Sequence, residues 1–125
     1  MSFDPHRMVG TWYWELSLDP SKNGIFRILD DFRYLSIIED VSAKDGRRWI
    51  PMRLWGEIEA EGIYRLRPRR ESKGWIRRIS FESEFLIFEA DESDHREWRC
   101  RRLTNAEIPE WFASEAASAL SRPWM

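Results

Sequence analysis

The sequence has one cysteine, two histidines and no long apolar run, and each shortage excludes a class of structure or chemistry. A lone thiol, Cys100, cannot close an internal disulfide, so packing and hydrogen bonds must hold the fold. His6, His95 and that thiol are too few soft ligands for a metal centre of the usual kind. No segment approaches the roughly 18 consecutive apolar residues of a spanning helix. Residues 1–6 carry no apolar signal core, and a cytoplasmic location in a reducing compartment is the expectation. Neither a Gly-x-Ser-x-Gly elbow nor a phosphate loop is present. The acid pairs Asp30/Asp31 and Asp91/Asp94 fall in turns, where Asp bonds the local backbone. An enzyme and a cofactor are therefore not expected. Charge of one sign is lacking too: 20 basic against 22 acidic residues leave a net charge of −2. Nucleic acid and membrane are not expected partners on that balance.

What the chain does have is rings and alternation. Aromatics make up 14% of its 125 residues, and eight of them are Trp. That length suits one domain, residues 1–125, burying about two thirds of its unfolded surface. Residues 10–18 alternate, with Trp12, Trp14, Leu16 and Leu18 on one side and Tyr13, Glu15 and Ser17 on the other. Similar runs follow at 25–29, 32–41, 49–59, 63–67, 75–81, 85–90 and 96–103. Turn signals separate them: 19–24, Asp30-Asp31, Asp45-Gly46, Glu61-Gly62, the polar loop 68–74, 82–84 and 91–94. Pro51 implies an unpaired edge or a strand start, and Gly56 a bulge or a close backbone approach. Asp4 and Pro5 open a short helical turn over 4–9. Thr104 and Glu107 have the spacing of a capping box, and Pro109 starts a helix over about 109–121. Its apolar face (Trp111, Phe112, Ala116, Ala119, Leu120) should pack on the sheet.

The fold class read from this order is mainly β: an eight-stranded antiparallel up-and-down barrel over about 10–103, with a C-terminal α-helix. Closure requires the first and last strands to pair. Trp98, Cys100 and Arg102 share one face of the last strand, so Arg102 should lie over the Trp12 indole and bond carbonyls near Met8 and Val9. A helical turn, then Gly10-Thr11-Trp12, answered by Arg102 and a final helix, resembles the lipocalin-like (calycin) barrels, in particular their compact bacterial members. That resemblance implies Gly10, Trp12 and Arg102 as closure residues and a lumen as the place for a ligand.

Inward candidates begin with Trp12, Trp14, Phe26, Ile28, Met52 and Leu54. Tyr64, Leu66, Phe85, Ile87 and Trp98 continue the set. These rings either fill the lumen or line a pocket. The ligand-binding candidates are Trp14, Phe26, Met52, Leu54, Tyr64, Arg77, Ile87 and Trp98. Arg77 points inward if Trp75, Ile79 and Phe81 do. It would then need an inner acid or a ligand carboxylate, with Tyr64 helping to orient that head; Arg78 is the second choice. The basic stretch 65–78 reads as an outer face offset by Glu57, Glu59 and Glu82 on neighbouring strands. A haem would have only His95 as axial ligand and lacks the family's glycine-rich extension, so an exposed loop histidine is the reading. Cys100 reads as a small core residue. The function expected is non-catalytic binding of a small apolar or amphipathic ligand in the barrel. The alternative is a protein-interaction or inhibitor-type module, or a homodimer, using rings such as Tyr13, Trp55 or Trp124.

Overall fold

The computed structural model describes residues 3–15, 24–39, 49–91 and 96–124. Eight strands follow in chain order: β1 (Gly10–Trp14), β2 (Ile25–Ile28), β3 (Tyr34–Glu39), β4 (Trp49–Ala60), β5 (Ile63–Arg67), β6 (Trp75–Glu82), β7 (Phe85–Phe88) and β8 (Trp98–Arg102). Each pairs antiparallel with its neighbour in sequence, and β8 returns to β1, closing an up-and-down barrel. The helix α1 (Glu110–Leu120) follows. The expected Asp45-Gly46 turn, the 16–18 end of the first run, most of the 19–24 turn and His95 lie outside the described residues.

The first and last strands meet as the alternation requires. Trp12 pairs with Arg102 and Trp14 with Cys100, so all four share the inner face. Beneath them the turn Pro5–Met8 closes one end. Asp4 caps it by accepting the His6 amide at 3.0 Å. Met8 is fully buried, and its carbonyl accepts the Trp12 indole N–H at 2.7 Å. The Arg102 guanidinium lies 4.4 Å from the Trp12 ring centroid. Its Nη1 donates to the Val9 carbonyl at 2.7 Å and its Nη2 to that of Arg7 at 2.5 Å. Gly10 has a φ of +140°, and a side chain there would collide with Arg102 Nη1.

Two apolar cores lie on opposite sides of the wall. The inner one includes Trp12, Phe26, Ile28, Tyr34, Leu54, Tyr64, Leu66, Ile79, Leu86, Phe88 and Cys100. The outer one joins Ile25, Leu35, Ile37 and Leu103 to Phe112, Ala116 and Ala119 of α1. This explains why residues 34–38 read as almost continuously apolar: one face of β3 meets the lumen and the other meets α1. Burying the Phe112 ring alone contributes about 1.5–3 kcal/mol. Trp111, half-buried, stacks on Trp49 of β4 with centroids 4.4 Å apart. Pro109 stands at the N-cap with extended backbone rather than in the first turn. The Thr104/Glu107 capping box forms, but around a separate short turn, Asn105–Glu107, because Pro109 cannot donate the amide a continuous helix would need.

Three local expectations are settled by the register. Pro51 sits in the half of β4 that pairs only with β3; pairing with β5 begins at Trp55. Gly56 is a close approach: the Tyr64 hydroxyl crosses it to donate to the Phe32 carbonyl at 2.5 Å, and a Cβ would strike both partners. The third expectation is corrected. Phe85 and Ile87 do not face the lumen; Leu86 and Phe88 do, opposite Cys100 and Trp98. Ile87 lies opposite Ser80 and Arg99 on the other face. The run Phe85-Leu86-Ile87-Phe88 is apolar at every position, so its pattern carries no phase. The turn at Ser83 (φ +56°) and the pairing with β6 set it. Phe32, expected in β3, instead has a φ of +69° in the preceding turn.

Candidate functional site

The barrel is filled at one end and hollow at the other. Near the Pro5–Met8 turn, Met8, Trp12, Ile28, Tyr64 and Leu86 have under 2% exposure and leave no room. At the opposite end, where β1, β3, β5 and β7 finish, two adjoining cavities remain. The larger, about 220 Å³, is lined by Trp14, Phe26, Tyr34, Ser36, Ile38, Met52 and Trp98, with Gly24 and Ile25. The smaller, about 110 Å³, is lined by Tyr34, Met52, Leu54, Leu66, Trp75, Arg77, Phe88 and Trp98. They share Tyr34, Met52 and Trp98. Met52 and Trp75 are 42% and 43% exposed although they face inward, so this end opens to solvent.

Rings form the walls. Trp14 and Trp98 stack with centroids 4.5 Å apart and planes 12° from parallel. Phe26 stacks on Tyr34 at 5.3 Å and meets Phe88 edge-on at 5.8 Å. Such contacts hold the walls apart in fixed orientation and supply broad apolar area to a guest. The Arg96 guanidinium lies 5.1 Å from the Trp14 ring and that of Arg77 lies 5.5 Å from Trp98, so two cations bracket the indole pair.

Arg77 is the charged group of the site. It faces inward from β6, opposite Tyr64, with only 8% exposure. Its Nη2 donates to the Glu89 carbonyl at 3.0 Å. Its Nε lies 3.3 Å from Asp91 Oδ2, close enough for an ion pair, but no acceptor is aligned for a hydrogen bond to that N–H. A guanidinium this desolvated needs negative charge nearby, and Asp91 supplies it. Of the two alternatives read from the sequence for Arg77, the inner acid is present as Asp91. Arg78 points outward and is exposed.

Of the expected ligand-binding residues, Trp14, Phe26, Met52, Leu54, Arg77 and Trp98 line the cavities. Ile87 does not, for the reason of phase given above. Tyr64 does not either. It is fully buried in the filled half, its hydroxyl is committed to Phe32, and burial pushes its phenol well above the usual range. Tyr34 stands in its place, lining both cavities and hydrogen-bonded to Ser36; burial raises its phenol strongly, so it stays neutral. Sequence reading missed Tyr34, Ser36 and Ile38 because they sit in a run with two apolar faces. Cys100 packs fully buried on the inner wall, with its thiol pushed up by burial.

Part of the outer basic face is matched by acids. Arg65 pairs with Glu59, Arg67 with Glu57 at 2.9 Å, Arg99 with Glu82 at 3.2 Å and Arg101 with Glu107 at 2.7 Å. Arg70 stacks 4.6 Å from the Trp55 ring. Trp55 and Trp124 meet edge-on at 5.7 Å, which partly buries both. Among the described residues no helix is long and apolar enough to cross a membrane. No protein family, curated protein or solved structure matches the chain. The class is therefore defined by architecture alone: a closed eight-stranded antiparallel barrel with a C-terminal helix, compatible with a lipocalin-like fold.

Proposed function

We propose that this chain is a lipocalin-like, cytoplasmic, non-catalytic binder of a small apolar or amphipathic molecule held at the open end of the lumen. The observation that carries the reading is the cavity of about 220 Å³ walled by Trp14, Trp98, Phe26 and Met52 and continuing toward a buried Arg77. An apolar cavity of about 150 Å³ holds benzene, and drug-sized ligands need about 300–1,000 Å³. The guest is thus one or two fused rings or a short branched chain. Its apolar body gains contact area from the rings, and an anionic end takes part of the place Asp91 holds beside Arg77.

The test uses 2-naphthoate and naphthalene as probes, followed by tryptophan fluorescence and thermal shift. Saturable binding is expected, with the acid tighter. Met52→Trp fills the cavity and abolishes binding of both; Arg77→Met leaves naphthalene binding and removes the preference for the acid. No saturable binding of either probe, together with native mass spectrometry of protein from its own host showing no bound small molecule, refutes the reading. A second reading, a protein-interaction module or homodimer, draws support from the exposed apolar groups Ile50 (39%) and Ile76 (42%) near the same rim. A mass in solution twice that of the chain, lost in Ile76→Lys, supports it.

A further inference from the structure

We propose that the closed end of the barrel carries a second site, a cleft that binds a phosphate-type oxyanion between the guanidiniums of Arg7 and Arg102. The cleft measures about 320 Å³ and is lined by Arg7, Trp12, Phe81, Glu84, Arg102 and Thr104. Each guanidinium lies on a ring: Arg7 is 4.2 Å from the Phe81 centroid and Arg102 is 4.4 Å from that of Trp12. Backbone carbonyls fix both. Arg7 Nη2 donates to Ser83 at 2.9 Å, and Arg102 donates to Val9 and Arg7. A guanidinium has five N–H donors, so these three bonds orient the groups and leave most donors unclaimed.

As at Arg53, whose guanidinium lies on Trp124 and donates to backbone carbonyls, the two cations of this cleft have no carboxylate partner among the described residues. Arg33, Arg65, Arg67, Arg99 and Arg101 each have one. Two acids beside Arg7 in the neighbouring groove are used elsewhere: Asp4 accepts the His6 amide, and Glu61 accepts the Phe3 amide at 2.6 Å. Two fixed like charges on apolar rings repel, and burial and the Arg7 charge both lower the proton affinity of Arg102. An anion between them reverses that repulsion. A tetrahedral phosphate offers oxygens to both forks, whereas one fork satisfies a planar carboxylate. Glu84 lines the same cleft with no ion pair among the described residues, so its carboxylate competes with the guest.

The experiment is an NMR titration of the arginine Nε–H and indole N–H signals with inorganic phosphate, run against acetate and chloride at equal ionic strength. Expected are saturable shifts at Arg7, Arg102 and Trp12 with phosphate only, while the Trp14 and Trp98 indoles at the open end stay still. Arg7→Gln weakens binding by about tenfold, equivalent to about 1.4 kcal/mol, and Glu84→Gln tightens it. A phosphorylated small molecule binding tighter than inorganic phosphate identifies an organic source. Equal response to chloride or acetate, or binding indifferent to both substitutions, overturns the proposal. If Arg7→Gln loses the Trp12 indole signal, the direction of the Glu84→Gln effect decides.

Discussion

Replacing Arg102 with alanine removes one guanidinium that performs three tasks at the seam of the barrel. It donates to Val9 at 2.7 Å, donates to Arg7 at 2.5 Å, and covers the Trp12 ring at 4.4 Å. The two hydrogen bonds lie at a partly exposed edge where water can replace them, so each contributes about 1 kcal/mol net. The cation–π contact adds about 0.5–1 kcal/mol. The expected loss is about 2–3 kcal/mol, which at a urea slope of about 1–3 kcal/mol/M is a midpoint shift of about 0.7–3 M. Arg102→Lys keeps a charge over the indole but has no fork to hold two carbonyls, so it should lose about 1–2 kcal/mol. Urea unfolding followed by tryptophan fluorescence gives the totals. The Trp12 indole N–H, bonded to Met8, reports whether the seam itself has loosened. A loss below about 0.5 kcal/mol for Arg102→Ala, with the indole signal unmoved, would refute the seam as a source of stability.

Gly10→Ala should destabilise by about 2–4 kcal/mol through its φ of +140° and the clash with Arg102 Nη1. Combined with Arg102→Ala the losses should fall short of additive in a double-mutant cycle, since the clash partner is gone; strict additivity counts against the contact. Glu107 is held down to about 2, from an ordinary 4.5, by hydrogen bonds from Thr104 and then from Arg101. Its contribution is present above the unfolded value and lost as pH falls from 4.5 toward 2, so Glu107→Gln should flatten acid unfolding in that window. A variant with an unchanged acid limb would remove Glu107 from the account. Cys100, buried with its thiol raised, should react with a disulfide reagent at mildly alkaline pH only as fast as the protein unfolds; rapid labelling of folded protein contradicts its place in the wall.

Residues 10–14 and 98–102 show how far local pattern reaches. Their alternation is strict enough to put Trp12, Trp14, Cys100 and Arg102 on one face before any partner is known, and one closed sheet brings those faces together. The sequence by itself determined the eight-strand order, the helix after Pro109 and the seam, because each rests on a period of two or on a residue with restricted backbone. It tied Arg77 to the face of Trp75, Ile79 and Phe81, and the register turned that face inward. Tertiary structure decided the rest. It chose the phase of the all-apolar run 85–88, exchanged Tyr64 for Tyr34 at the cavity, and left one end hollow while filling the other. Those outcomes depend on cross-strand register and on how ring volumes meet inside a closed wall, and neither quantity is carried by any single stretch of chain.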